Sequence, residues 1–398
     1  MRKTKLSNAI FIANCLLCML VGGIQNEIML PSFLNLASFL NVDNNHIKIT
    51  TSLCFLGSFM ATIFYGPSSE FFGRRKVLIF SCFITCVGIL GCFLSSSYKF
   101  FAFFRIIEGI GIAGPSGIVF LMIKDTYDDY SSIKLISFVT SILVVFASLS
   151  PVIGAFLNNH YYGWRGGYGF LFLISVLAFF SSIFFCSETK KSLSDYYFIK
   201  KSFLDNYTSL IKNSTFLSAA IVPSLFFANN INFSLCAAFI YTNQFQLTPF
   251  EYATHQSIVT ISFCIASFFS FNLKKFWKTN QSVKLGYLIC IVSSIMILFC
   301  KNAVEITMCI ILHNFGFAMC YYYVFNLSLK IFSEIKGYAI AFIMLLRAII
   351  CAVVIAGTNL FNSNNLEALG YTTIFCSMLA WLLGLFLLKK TEKNLILH

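Results

Sequence analysis

A chain of 398 residues that is 58% hydrophobic and only 11% charged is not a soluble globular protein, in which about 25% of residues are charged. Its net charge of +13 does not mark a nucleic-acid partner, because the cations are scattered over short loops between long apolar runs. Those runs are continuous and lack period-two alternation, which excludes a transmembrane barrel and leaves helices crossing a lipid bilayer.

Twelve runs come near the roughly 20 residues that a span needs. In chain order they are 9–31, 49–66, 77–97, 100–122, 135–157, 168–186, 215–241, 251–272, 285–300, 302–328, 338–360 and 369–388. The first follows Arg2, Lys3 and Lys5. It is long and lacks a clear small-residue cleavage site, so it reads as a span and not as a signal peptide. Glu27 lies inside it, between Asn26 and Met29. A carboxylate at that depth costs a few kcal/mol and is usually functional, which suggests a proton or ion pathway.

The fourth run holds Arg105 and Glu108, which share a helix face at i, i+3. Beyond them Gly109, Gly111 and Gly114 spell GxGxxG. No strand precedes this copy, so helix packing against span one or five is expected instead of a dinucleotide site. The fifth run carries Ser150, Pro151 and Gly154. The longest polar break, 187–214, is basic and separates six spans from six. It divides the chain into an N-terminal six-helix bundle at 1–186, a linker at 187–214 and a C-terminal bundle at 215–398. Sequons at Asn206 and Asn213 read as chance matches. In the second half, Asn229, Asn230 and Asn232 fall in span seven, and His313, Asn314, Tyr321, Tyr322, Tyr323 and Asn326 in span ten.

Of 28 Lys and Arg residues, one set of loops carries only Lys48, Lys99, Arg165 and Lys301, and Arg105 and Arg347 lie within spans. The rest crowd the opposite loops and the termini. The positive-inside rule then places both termini in the cytoplasm. The 15 cysteines show no CxxC or metal-ligand spacing and read as small apolar fillers. Neither a metal nor a cofactor is expected.

Three stretches resemble the major facilitator superfamily. Gly66-Pro-Ser-Ser-Glu70-Phe-Phe-Gly73-Arg74-Arg75 is similar to its G-x-x-x-D-(R/K)-x-G-R-(R/K) loop, with Glu70 in place of Asp and Phe71 in place of a basic residue. The glycines would permit a close helix approach and a tight turn, and Asp125 is a candidate partner for Arg74. Arg105-Ile-Ile-Glu108-Gly109 resembles the R-x-x-Q-G motif, with Glu108 where Gln is usual. Glu108 either neutralises Arg105 or adds a second protonatable site. Ser150-Pro151-Val-Ile-Gly154-Ala155 is similar in part to the antiporter G-x-x-x-G-P-x-x-G-G pattern. Asn26-Glu27-Ile-Met-Leu-Pro31 and Gly163-Trp164-Arg165, the latter closing span five, look like stretches of the Bcr/CflA multidrug/proton antiporters.

The resemblance implies an all-α membrane protein of twelve transmembrane helices in two six-helix bundles. It also implies proton-coupled export of lipophilic cationic or neutral compounds by alternating access, driven by the proton gradient. Glu27, Arg105 and Glu108 would couple protons. Asn26, Glu27, Met29, Asn230 and Tyr322 would bind substrate. Gly66, Glu70, Gly73, Arg74, Arg75, Asp125, Ser150, Pro151 and Gly154 would serve gating. The alternative for Asn229, Asn230, Asn232 and His313 is ordinary hydrogen bonding between helices. The expected setting is a bacterial inner membrane, and the expected state a monomer. A metabolite transporter of the same fold is the other reading, and an intramembrane enzyme has no nucleophile–base pair to support it.

Overall fold

The structure is a computed structural model and describes residues 5–190, 205–273, 279–332, 336–360 and 365–396. The chain divides into two compact units, Met1–Phe203 and Leu204–His398. Every regular element among the described residues is helical.

In the first unit, α1 (Lys5–Met29) passes through a 3₁₀ turn (Leu30–Ser32) into α2 (Phe33–Leu40). Pro31 lacks the N–H an α-helix would need there, which favours the tighter turn. Asn41, left-handed at φ 52°, closes α2. Then follow α3 (Asn44–Phe72), α4 (Arg74–Leu94), α5 (Tyr98–Thr126), α6 (Asp129–His160) and α7 (Trp164–Phe185). Asp128 caps α6 by accepting the Ser131 N–H at 3.1 Å. Gly163-Trp164-Arg165 opens α7 instead of closing the fifth span, because α6 ends at His160. Arg165 donates to the carbonyls of Phe93 and Ser95.

In the second unit, α8 (Ser214–Phe239) runs on into a π turn (Ile240–Gln244). It is followed by α9 (Pro249–Leu273), α10 (Thr279–Ile297), α11 (Ala303–Ile331), α12 (Lys336–Leu360) and α13 (Leu366–Ile396). Two starts are built from side chains. Thr248 and Glu251 bond each other's backbone N–H at 3.3 and 2.8 Å, a capping box before α9. Asn302 accepts the Glu305 N–H at 2.9 Å before α11.

Eleven helices among the described residues are long and apolar enough to cross a membrane. Pro249–Leu273 is a further helix of spanning length, 25 residues, whose first turns carry Glu251, His255 and Gln256. The helices outrun the apolar cores read from sequence: α3 begins at Asn44 and the expected span only at residue 49. Polar residues end the apolar run without ending the helix.

The units pack alike. In the first, α5 lies against α3 and α4, α1 against α6 and α7, and α4 against α7. In the second, α11 lies against α9 and α10, α8 against α12 and α13, and α10 against α13. The α5 glycines face α3 and α4, which corrects the expectation of spans one or five. A Cβ on Gly109 would strike the Cys54 carbonyl, one on Gly111 Thr85, and one on Gly114 Ser81. All cysteines are free, and all but Cys264 and Cys300 are buried. Cys15, Cys18 and Cys82 sit in the first unit's apolar core.

Candidate functional site

The first unit contains a buried polar cluster where α5 meets α1 and α3. Arg105 is 1% exposed and Glu108 0%. An Arg105 terminal nitrogen donates to Glu108 Oε2 at 2.9 Å. The guanidinium also reaches Gln25 Oε1 and Asn26 Oδ1, each at 3.4 Å. Gln25 in turn donates to Cys54 Sγ at 3.6 Å, and the Cys92 thiol donates to Glu108 Oε2 at 3.7 Å. Glycines make this proximity possible: a Cβ on Gly88 would strike the Glu108 backbone, and one on Gly57 the Ile106 carbonyl. The geometry sets Glu108 against Arg105 as an ion pair. Gln25 did not stand out in the sequence, although it is the first of three polar residues, Gln25-Asn26-Glu27, inside an apolar run.

Asn26 and Glu27 are half-buried, and Ile28 and Met29 are fully buried. The Met29 sulfur fills the space a Cβ on Gly167 would take. Gly154 of α6 lies on the carbonyl of Ile28, where a Cβ would collide. The small residue thus brings α6 onto α1 one position after Glu27. Pro151 is within α6, and the Ser150 hydroxyl turns back to the Ala147 carbonyl at 2.8 Å.

A second cluster joins the α3–α4 turn to the end of α5. Gly73, at φ 96°, makes the turn. Gly66 has nothing within 4 Å of an added Cβ, so the expected close approach there does not occur. Arg74 is 4% exposed. Its Nε donates to Asp125 Oδ2 at 3.1 Å, and its terminal nitrogens engage Ser69 and Glu70. Arg75 donates to the Ile183 carbonyl at 2.7 Å. Glu188, which sequence reasoning missed, accepts the backbone N–H groups of Arg74 and Arg75 at 3.0 and 3.2 Å. A carboxylate there meets the positive end of the α4 dipole. Lys190 pairs with Glu70, and burial holds its ammonium below the ordinary lysine value.

In the second unit the amides bond between helices. Asn229 meets His313 at 3.3 Å, and Asn230 donates to Asn314 at 3.0 Å. Asn314 donates on to the Val259 carbonyl and Ser262. His313 is 3% exposed and also meets Ser293. These contacts match the helix-to-helix alternative. The side chains of Tyr322 and Asn326 lie outside the described residues.

Long apolar helices in two like-packed units, with a charge pair sealed among them, define a polytopic membrane protein. The sequence matches the Major Facilitator Superfamily over residues 15–355, and the chain belongs to that superfamily. Members of that superfamily are transporters and not enzymes. Among its relatives is the multidrug resistance protein MdtM of Salmonella typhimurium, 25% identical over 51% of this chain and 48% of that protein. The chloramphenicol resistance protein CraA of Acinetobacter baumannii is 22% identical over 61% of this chain and 58% of its own. The bicyclomycin resistance protein homolog of Haemophilus influenzae is 22% identical over 65% of each. The matches thus span from about half to just under two thirds of these relatives. The fold is that of solved transporters. A bacterial homolog of the human lysosomal transporter Spinster superposes with TM-score 0.79 at 12% identity, covering 98% of both chains. A D-xylose–proton symporter superposes with TM-score 0.74 at 14% identity, covering 94% of this chain and 97% of its own.

Proposed function

We propose that the chain is a proton-coupled exporter of lipophilic cationic or neutral compounds, placed in a bacterial inner membrane with both termini cytoplasmic. The observation that carries this reading is the position of Glu27. It is the one carboxylate of α1 and is half-buried. Its neighbour Asn26 touches Arg105, and its neighbour Ile28 is where α6 closes on α1. A carboxylate that changes charge there acts on both contacts at once. The names of the relatives, which are resistance proteins, support the substrate class.

Protonation of Glu27 from outside releases the substrate, and proton loss to the cytoplasm restores the substrate-accepting state. Arg105, neutralised by Glu108, fixes the polar cluster instead of competing with the cationic substrate for Glu27. Each charge moved across 100 mV supplies about 2.3 kcal/mol, so one proton per cycle drives a modest gradient. The Arg74–Asp125–Glu70 cluster steadies one conformer.

The test is purified protein in liposomes under an imposed pH gradient, with proton movement recorded as tetraphenylphosphonium or chloramphenicol is added. Drug-evoked proton flux is expected, and its loss in Glu27→Gln. Uphill transport retained by Glu27→Gln would sink the proposal. Folded protein showing no flux with any such compound would favour a metabolite carrier.

A further inference from the structure

Beyond its first residue, Lys336, α12 carries one charge, Arg347. Eleven residues on, at about 1.5 Å each, it lies ~16 Å along the helix, near the depth of the bilayer centre. A cation at that depth costs several kcal/mol unless something answers it. The first unit answers Arg105 with Glu108, Gln25 and Asn26. Arg347 has no such set. A terminal nitrogen makes one long contact, 3.5 Å, to the Tyr321 hydroxyl. The guanidinium carbon lies 4.5 Å from the centre of the Phe227 ring. Its Nε–H is buried without an acceptor, as is that of Arg105, so the difference between the two lies in the terminal nitrogens. Among the described residues no carboxylate pairs with it. Glu251, Glu305 and Glu367 stand in the first turns of α9, α11 and α13, far from mid-helix.

The group is also partly exposed. Phe227, Tyr321 and Arg347 are each half-buried, as is Asn230, one turn beyond Phe227 on α8. Tyr321 stacks on Phe325 with ring centres 5.5 Å apart and planes 9° apart, which gives the group a flat aromatic wall. A guanidinium presents paired N–H groups that match a carboxylate.

We propose that Arg347, Phe227 and Tyr321 form an anion-recognising subsite in the second unit that takes the carboxylate of a flat aromatic solute. The proposal deepens the export reading and rests on this chain carrying small organic solutes. It extends the substrate class from cations and neutral compounds to aromatic acids and zwitterions. A phospholipid phosphate offers the guanidinium similar chemistry, so the test separates the two sources.

The probes are 2-naphthoate and its uncharged counterpart 2-naphthamide, bound to the full chain in nanodiscs of neutral lipid and followed by naphthalene fluorescence anisotropy. The acid should bind at least tenfold more tightly than the amide. Arg347→Gln should erase that preference and leave amide affinity within about twofold. Arg347→Lys keeps the charge without the fork and should show a reduced preference, which keeps the test open if Arg347→Gln does not fold. Equal binding of acid and amide, binding of neither by folded protein, or a preference that survives Arg347→Gln would overturn the proposal. So would a preference abolished by a few molecules of phosphatidylglycerol that native mass spectrometry finds retained by the wild type and lost from Arg347→Gln; that result assigns the site to lipid. The assay uses no gradient. A failure of proton coupling would therefore leave the preference intact and appear only as absent flux.

Discussion

At the scale of single residues, the Arg105–Glu108 pair is stabilised against a high cost. Both groups are sealed from solvent, and removing one partner from such a pair leaves an unanswered charge, at about 3–5 kcal/mol. Arg105→Ala should therefore lower the thermal unfolding midpoint in detergent sharply. The double variant Arg105→Met, Glu108→Leu should recover most of that loss, since a packed apolar pair of similar volume often stabilises as well. If the double variant stays as unstable as the single one, Gln25 and Asn26 need the guanidinium as much as Glu108 does. The α5 glycines make a second prediction at this scale. Gly109→Leu forces a side chain into the Cys54 carbonyl and should cost about 1–3 kcal/mol or more. Gly117→Leu, where an added Cβ meets nothing within 4 Å, should unfold near the wild-type midpoint.

At the scale of elements, α4 depends on a residue from far along the chain. Glu188 holds the first two amides of α4, and a lost helix cap typically costs about 0.5–2 kcal/mol. Glu188→Ala should speed hydrogen exchange at Arg74 and Arg75 by roughly tenfold, since about 1.4 kcal/mol is a factor of ten in an opening equilibrium. Unchanged exchange would mean that Asp125 and Glu70 hold the turn without it. This element also shows where sequence reading stops. The Arg74–Asp125 pair was legible because both residues lie in a recognisable loop and at a span end. Glu188 lies 114 residues from Arg74 in a polar connector, where one carboxylate looks like any other. The same limit hid Gln25, 80 residues from Arg105. The long helices were legible from apolar runs, whereas the short α2 lies outside every run read from the sequence. Helix ends were less so, because capping side chains such as Asp128, six residues or more before the expected start at 135, extend helices past the point where hydropathy falls.

At the scale of the whole molecule, the distribution of Lys and Arg makes a topological prediction. Alkaline phosphatase fused after Lys301 should be active, as expected of a periplasmic loop, and fused after His398 inactive. Green fluorescent protein should report the reverse. A phosphatase-active C-terminus would invert the orientation read from the basic loops and the direction of proton entry with it. The like packing of the two units was not legible as self-similarity, since the 66–76 loop keeps its glycines while 272–278 has none. Packing depends on which helices touch, and many different side chains satisfy the same neighbours.

The glycine contacts of α5 also have a mechanical consequence. Gly109 sits on the Cys54 backbone and Gly111 on that of Thr85, and one turn on Gly114 sits on the Ser81 side chain, so α5 meets α3 and α4 at very short range. A helix seated that closely cannot slide or swivel by a fraction of a turn without collision, so α3, α4 and α5 move as one stiff plate. The charge pair belongs to that plate through α5, while the α1 helix is interrupted at Pro31, four residues after Glu27.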